Sequence, residues 1–321
     1  MHDEREKKQQ LELCLNTGCS ITKNGQFKLA IEKFQEALKL AEELKDEKQI
    51  KQSDSKAAQH YQKALEIAIE RGYKREEINA RFGLGKVHRG NNQIQTARQH
   101  YEKTLEIAIE RGYKREETNA YRGLGDAYRL SNQIQKAVQH YEKALEIAIE
   151  RGYKRDETNA YRGLGDTYRL SNQIQKAVQH YEKALEIAIE QGYKRAETNA
   201  CRGLGNAYRL SNQIPKAVQH CEKALEIAIE QGYKLEETNA YLGLGDAYRL
   251  SNQIQKVVQH YEKALEIAIE RGYKRDEAKA YCGLGDAYRL NNQIQTASQH
   301  YKNALEIAIE RGYKRDEAKA Y

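Results

Sequence analysis

Seven histidines recur at a constant spacing of 40 residues, and such regularity first suggests metal binding. They share one position in a repeated phrase: His60, His100, His140, His180, His220, His260 and His300. The ligands of one metal ion converge to within about 2 Å of it. These copies lie one whole repeat apart, and each precedes an aromatic residue or a cysteine. The pattern therefore predicts a surface or interface role for the histidines, with no metal and no cofactor.

A ladder of charged and amide side chains is the second set with chemical potential. Arg162, Asp166 and Arg169 are spaced i, i+4, i+7 and form one stripe on a helix, with Asn159 one turn earlier. Two interpretations stay open: a self-satisfied ladder of weak ion pairs, or a groove with two arginines to one aspartate per unit, biased toward acidic peptides. The predicted groove residues are this set and its copies: Asn119, Arg122, Asp126, Arg129, Asn159, Arg162, Asp166, Arg169, Asn199, Arg202, Asn206, Arg209, Asn239, Asp246 and Arg249. Four residues interrupt the ladder toward the ends of the array: Phe82, Lys86, Leu242 and Cys282.

Catalytic arrangements do not emerge from the sequence, and we predict that the chain is not an enzyme. The segment Gly163–Leu164–Gly165 lacks the third glycine of a nucleotide-binding loop and follows no strand. No Ser/His/Asp or Cys/His arrangement stands out from the repeat. The five cysteines are odd in number and irregular in spacing, which argues against a disulfide framework or a zinc site.

Composition limits the partners further. The net charge of +7 is mild for a chain of 37.0 kDa, and charges of both signs are interspersed. This mixture indicates a solvated surface rather than a nucleic-acid interface. No apolar run approaches the ~20 residues that a membrane span needs, and the charged start does not resemble a signal peptide. We therefore expect neither a nucleic-acid nor a membrane partner, and a cytoplasmic location.

All of these residues belong to a 40-residue unit that repeats along most of the chain. Units 111–150 and 151–190 differ at only two positions. A fixed period of this size predicts a stacked array of supersecondary units rather than a globular enzyme.

Each unit contains two amphipathic segments, which predict an antiparallel pair of helices A and B. In unit 151–190 we expect helix A near 155–170 and helix B near 173–191. Tyr161, Leu164, Gly165 and Tyr168 form the buried stripe of helix A. Glycine at position 165 is expected to let helix B approach closely, with small alanines facing it.

The ends of the helices also carry recognisable residues. Asn172 is expected to cap helix B, with Gln175 as its capping-box partner. Gly192 suits the left-handed position after helix B, and Tyr193 supplies the apolar contact that often accompanies such a cap.

The spacing of the residue types that recur in each unit resembles the tetratricopeptide repeat (TPR). The matching phrases are Tyr161-x2-Leu164-Gly165-x2-Tyr168 and Ala177-x3-Tyr181-x2-Ala184. The unit is longer than the usual 34 residues and has Ile189 where a proline is usual. The longer phrasing is similar to the repeats of G-protein-signalling modulators of the Partner-of-Inscuteable type and of kinesin light chains.

The resemblance implies an all-α fold, a right-handed superhelical α-solenoid of antiparallel helix pairs. It also implies an adaptor whose concave face, lined by helix A, holds an extended peptide of a partner protein. On that face we expect Asn159, Arg162, Gly163, Asp166 and Arg169. Related adaptors commonly place an asparagine where this chain has Gly163, so Asn159 is the candidate substitute.

A break in the 40-residue repeat divides the chain into three predicted segments. Residues 1–44 are predicted to form an N-terminal TPR unit, and residues 45–55 a polar linker or helix extension. Residues 56–321 are predicted to form the solenoid of 40-residue repeats, with the last repeat truncated, so we expect a fragment of a longer array.

One unit departs from its sisters in the core. Cys201 and Cys221 replace two aromatic residues there, and we expect either a void or a local collapse. Both thiols are expected to be ordinary buried groups.

The function predicted from these features is a scaffold or adaptor that binds peptide segments of other proteins, acidic segments in particular. Self-association through the uncapped ends is an additional expectation. The alternatives are a structural spacer or self-associating array without a groove ligand, and the non-catalytic repeat part of a larger protein.

Overall fold

The computed structural model describes residues 47–311, all of whose regular elements are α-helices. Thirteen helices follow one another: α1 Glu47–Glu70, α2 Lys74–Gly90, α3 Ile94–Arg111, α4 Lys114–Leu130, α5 Ile134–Glu150, α6 Lys154–Leu170, α7 Ile174–Glu190, α8 Lys194–Leu210, α9 Ile214–Glu230, α10 Lys234–Leu250, α11 Ile254–Arg271, α12 Lys274–Leu290 and α13 Ile294–Arg311. The prediction of an all-α repeat array is confirmed. Even-numbered helices are the A helices of the repeat, and odd-numbered helices are the B helices.

Contacts within the chain group into two compact units, Met1–Thr167 and Tyr168–Tyr321. Among the described residues, unit one holds α1 to α5 and most of α6, and unit two holds the end of α6 and α7 to α13. Within each unit, consecutive helices pack side by side, and successive A helices also touch, as α2 does with α4 and α8 with α10.

Predicted helix limits agree with the structure. Helix A of the type unit spans Lys154–Leu170 and helix B spans Ile174–Glu190. Residues 47–55 are helical and continue into the rest of α1. The predicted N-terminal unit 1–44 and the truncated last repeat lie outside the described residues, so the domain boundaries stay predictions.

Both kinds of turn end a helix in the same way. After helix B, Gly192 adopts φ +67°, and the Tyr193 amide donates to the Ala188 carbonyl at 2.8 Å. After helix A, Asn172 adopts φ +59°, and the Gln173 amide donates to the Tyr168 carbonyl at 2.9 Å. Glycine adopts this left-handed conformation without strain, and asparagine is among the few other residues that tolerate it.

The predicted cap at Asn172 is therefore wrong. Asn172 ends helix A instead of starting helix B, and the residue at the N-cap of helix B is Gln173, which makes no side-chain cap bond. The predicted left-handed glycine at position 192 is confirmed.

Three tyrosines of B helices each fill a slot between glycines of two consecutive A helices: Tyr101, Tyr141 and Tyr261. The ring of Tyr141 lies against Gly125 of its own pair and against Gly163 of the next pair, so closely that a Cβ at either glycine would collide with the ring. The same holds for Tyr101 with its two glycines. These contacts correct two expectations. Gly163 is buried under a ring instead of lying on an exposed groove face, and the side chain that meets the helix A glycine of a pair is a tyrosine and not an alanine.

The aromatic residues of the predicted helix A stripe are only partly buried. Tyr161 and Tyr168 are half-exposed, unlike the fully buried Leu164. The ring of Tyr168 stacks on His180 with centroids 5.2 Å apart. Stacking of this kind leaves one edge of the ring in solvent while its face packs.

The unit with two cysteines has collapsed locally around the missing rings. Cys201 and Cys221 are 0% and 3% exposed, and burial raises the pKa of these thiols to about 11 and about 12. Leu242 joins Cys221 in one hydrophobic cluster and is itself buried. The corresponding side chain in a sister unit, Arg202, is half-exposed. Leucine at position 242 thus shares the space that a tyrosine fills elsewhere.

Candidate peptide-binding surface

The fifteen predicted groove residues lie on the A helices α4, α6, α8 and α10, and each of them is half-buried. Partial exposure fits a side chain that packs its stem on the helix and leaves its polar end accessible. Helix periodicity brings Asn, Arg, Asp and Arg of one unit to the same stripe. The structure then decides which of these polar groups are already engaged within the chain.

In unit one, the carboxylate of Asp126 is held by three groups. The phenol of Tyr141 donates to it at 2.6 Å, Arg129 contacts it at 3.4 Å, and Arg89 of the preceding A helix pairs with it. Burial alone would raise the pKa of Asp126, but Arg89, the Tyr141 hydrogen bond and Arg129 together lower it. Asp126 is therefore ionised and satisfied by the chain itself, as the interpretation of a self-satisfied ladder requires.

Arginines one turn earlier are engaged differently. Arg122 donates to the amide oxygen of Asn119 at 2.8 Å, and Arg202 donates to that of Asn199 at 3.3 Å. An amide orients a guanidinium without neutralising it, because the amide carries no net charge. Arg162 instead lies 3.8 Å from Asp166, a loose ion pair. The groove interpretation of the ladder therefore fits this row of arginines better than the row that follows it.

A cleft of about 230 Å³ gathers these groups in unit one. Its lining comes from five helices: Phe82, Lys86, Arg89, Tyr101, Arg122, Gly123, Asp126, Tyr141, Asn159, Arg162, Gly163 and Asp166. Four of these side chains are cationic and two are anionic, so the cleft carries an excess of positive charge. Five predicted residues converge here, namely Arg122, Asp126, Asn159, Arg162 and Asp166.

Sequence reasoning missed the phenols of Tyr101 and Tyr141 in this cleft. Both residues were expected only in the core, where their rings do lie. A tyrosine is long enough to cross the slot between two helices, so the Tyr141 hydroxyl reaches Asp126 on the far side, whereas the Tyr101 hydroxyl stays buried. The signal for this was the spacing of 15 residues between Asp126 and Tyr141, which recurs as Asp246 and Tyr261.

A second cavity, of about 370 Å³, lies in unit two. Its lining is Leu242, Asp246, Arg249, Tyr261, Lys279, Cys282, Gly283, Asp286 and Tyr301. Here two cationic and two anionic side chains balance. Of the predicted residues, two line this cavity, Asp246 and Arg249. Eight line neither of the two cavities described: Asn119, Arg129, Arg169, Asn199, Arg202, Asn206, Arg209 and Asn239.

The recurring histidines pack against helix A of their own pair. His140 stacks on Tyr128 with centroids 5.0 Å apart and tilts against Tyr121 at 5.9 Å. Burial lowers the pKa of His140, and Lys136 lowers it further. Neutral imidazoles that pack on tyrosines have an interface role within the hairpin. Among residues 47–311, no three His, Cys, Asp or Glu side chains are grouped as a metal ion would require.

Antiparallel helix pairs joined by short turns, with an accessible polar stripe on one helix of each pair, define an α-helical repeat protein. The family model of the tetratricopeptide repeat matches residues 50–110, 85–150, 116–190, 196–270 and 258–310. The chain therefore belongs to the tetratricopeptide repeat family. No enzymatic family is indicated, and over the described residues no helix is long and apolar enough to cross a membrane.

Solved structures share the fold at low sequence identity. The apo form of RapI superposes with a TM-score of 0.61 and 16% identity, over 95% of this chain and 99% of that one. A Rap protein in complex with Competence and Sporulation Factor gives 0.60 and 16%, over 97% and 77%. A kinesin light chain-like protein with nearly identical TPR-like repeats, from Podosopora anserina, gives 0.50 and 21%, over 60% and 95%. A search of curated protein sequences finds no match. The resemblance to G-protein-signalling modulators stays a prediction.

Proposed function

We propose that the chain is a scaffold or adaptor that binds acidic peptide segments of partner proteins at the unit-one cleft. The observation that carries the proposal is the excess of cationic side chains around that cleft. Asp126, which would repel an acidic ligand, is already neutralised by Arg89 and Arg129 and hydrogen-bonded by Tyr141. Arg122 donates to the neutral amide of Asn119, which leaves its positive charge uncompensated by that contact.

The fold supports the same proposal by analogy. One structural neighbour was solved in complex with Competence and Sporulation Factor, so an array of this architecture can hold another molecule. Charge-assisted hydrogen bonds between guanidinium and carboxylate groups are stronger than neutral ones. A peptide with several Asp or Glu residues would also be steered toward a positive cleft before contact.

Charge reversal in the cleft tests the proposal. In the full chain, Arg122→Glu with Arg162→Glu should abolish binding of a fluorescent Glu-rich peptide, measured by anisotropy. The matched control is Lys103→Glu with Lys143→Glu, since these lysines lie on B helices of the same unit and pair only with exposed glutamates. Binding to the wild-type chain should also weaken with salt, because charges are screened beyond about 8 Å at physiological ionic strength. Equal binding by both double variants would refute the proposal.

The main alternative is a structural spacer or self-associating array without a groove ligand. Near-identity of the units favours it, because identical units cannot read a varied peptide residue by residue. An adaptor made of near-identical units can still bind a partner tightly if several units make weak contacts at the same time, because their combined avidity exceeds the affinity of one contact. A wild-type chain that binds no acidic peptide but sediments as a concentration-dependent oligomer would favour the alternative. The cytoplasm is the compartment that we propose for either function, since the buried thiols are compatible with a reducing environment.

A further inference from the structure

We infer that the unit-two cavity is a pocket for one large apolar side chain of a bound peptide, leucine or phenylalanine in size. The inference rests on the proposed peptide-binding function, and it assigns to this part of the array a ligand chemistry different from that of the acidic cleft.

The groove changes character at one position of helix A. That position holds arginine in three successive units and leucine and cysteine in the next two: Arg122, Arg162, Arg202, Leu242 and Cys282. Leu242 is 8% exposed and belongs to the core cluster, whereas Cys282 is half-buried. Leucine and cysteine therefore give the cavity an uncharged wall at this position of α10 and α12, where the sister units carry a guanidinium group.

Polar groups at the rim of this cavity are paired within the chain. The phenol of Tyr261 donates to Asp246 at 2.6 Å, and the phenol of Tyr301 donates to Asp286 at 2.7 Å. Two cations at the rim are paired as well. Nη1 of Arg249 lies 3.4 Å from Asp286, although the buried Nε of Arg249 has no hydrogen-bond partner, and Lys279 donates to Asp276 at 2.8 Å.

A ligand gains little from groups that already have partners, since a new ion pair must break an existing one. An acidic side chain would face Asp246 and Asp286, and like charges at close range repel. A basic side chain would compete with the tyrosine and arginine bonds of the same carboxylates. An uncharged apolar group breaks none of these pairs, so against the wall of Leu242, Cys282 and Gly283 it is the chemistry that the cavity accepts at the lowest electrostatic cost.

The size of the cavity agrees with that chemistry. A volume of about 370 Å³ lies near the lower end of ligand pockets, which run from about 300 to 1,000 Å³. That space admits one large side chain and the backbone beside it, with the uncharged Leu242, Cys282 and Gly283 in the wall. Tyr261 and Tyr301 add the edges of aromatic rings, which are favourable neighbours for aliphatic and aromatic groups.

Two fluorescent peptides separate this pocket from the acidic cleft. One has a single central leucine in a Gly/Ser background, and the other has central glutamates in the same background. With the full wild-type chain, we expect the leucine peptide to bind. Cys282→Arg, which installs the residue that the sister units carry, should weaken the leucine peptide at least tenfold, or about 1.4 kcal/mol, and leave the glutamate peptide unchanged. Cys282→Ala is the matched control and should keep leucine-peptide binding, because the wall stays apolar.

The reverse variant, Arg122→Glu with Arg162→Glu, should spare the leucine peptide and lose the glutamate peptide. Because Cys282 is half-exposed, we expect Cys282→Arg to fold, and its circular dichroism spectrum checks this. Leu242→Met, a volume-conserving change in the same wall, is a second variant and should keep the leucine peptide. Leucine-peptide binding that is undiminished in Cys282→Arg, or absent from a wild-type chain that binds the glutamate peptide, overturns the pocket alone. Loss of the glutamate peptide from the wild-type chain with retained leucine binding overturns only the acidic cleft.

Discussion

Replacing Gly163 by alanine should destabilise the array, although alanine is the better helix former. In an open helix this change would gain about 1 kcal/mol. Here the new Cβ would lie 2.6 Å from Cζ of Tyr141, far inside the 3.4–4 Å of ordinary contact. The ring cannot retreat, because Gly125 packs on its other side and its hydroxyl is bonded to Asp126. Overpacking of a rigid core site costs about 1–3 kcal/mol, so after the gain in helix propensity we expect a net loss of up to roughly 2 kcal/mol.

Gly243 provides a matched control in the same chain. It occupies the same position of its unit, but its Cβ would meet only the Sγ atom of Cys221, at 3.0 Å. A shift of a few tenths of an ångström removes that contact. Helix propensity should then dominate, and Gly243→Ala should be neutral or stabilising by up to about 1 kcal/mol.

Thermal unfolding followed by circular dichroism measures the sign of each change. Hydrogen exchange adds the location, since a local defect in a repeat array opens its own helices first. We expect faster exchange in α5 for Gly163→Ala. In a Tyr141→Cys background, Gly163→Ala should cost less than it does in the wild type, because the ring that collides is gone. If Gly163→Ala raises the unfolding temperature as much as Gly243→Ala does, the slot is not a steric constraint and the reasoning is refuted.

Two further predictions concern titration and the cysteine unit. Burial, with His88 and Arg81, lowers the pKa of His100 to about 4, below the value near 6.5 that it has in an unfolded chain. The folded chain therefore favours the neutral imidazole. The unfolding temperature should be highest above pH 6.5 and should fall as the pH drops toward 4. His100→Gln should reduce that fall, and equal pH profiles for variant and wild type would contradict the prediction. In the cysteine unit, Cys221→Tyr should destabilise the chain by about 1–3 kcal/mol, because the Leu242 cluster has taken the space of the ring. Cys221→Tyr with Leu242→Arg should recover stability in urea titrations, and a stabilised single variant would show that the space is empty.

Much of the fold followed from the sequence because helix periodicity is a local signal. Hydrophobic spacing and the glycine after helix B place both helices of a unit within about a residue of their observed limits. The misplaced cap at Asn172 has a local cause as well. Asparagine is both a favoured N-cap and a residue that accepts the left-handed conformation, and only the observed φ of +59° distinguishes the two.

The candidate site was harder to predict, because the sequence of a single helix indicates one apolar face and does not show how many neighbouring helices it contacts. In the array each A helix packs on its own B helix and on the preceding pair. Gly163 faces the second contact, with Tyr141, and residue spacing within one unit does not contain that contact. The pairing of Asp126 with Arg89 likewise joins residues from two successive 40-residue repeats. The predicted residues share one stripe of the A helices, but their partners depend on how the helix pairs stack, and their role in binding stays a prediction.

The tyrosine slot also bears on how such an array changes length. Most units supply one ring and two glycines, so one copy fits after another as interchangeable parts. Duplication or loss of a whole 40-residue segment preserves the contact between each tyrosine and its glycines. The number of repeats can therefore change without loss of packing. A substitution of the tyrosine or of a glycine alters the packing against the adjacent repeat, so it must be accompanied by a compensating substitution in that repeat. Cys221 and Leu242 are such a pair: they lie in adjacent repeats and pack in one hydrophobic cluster.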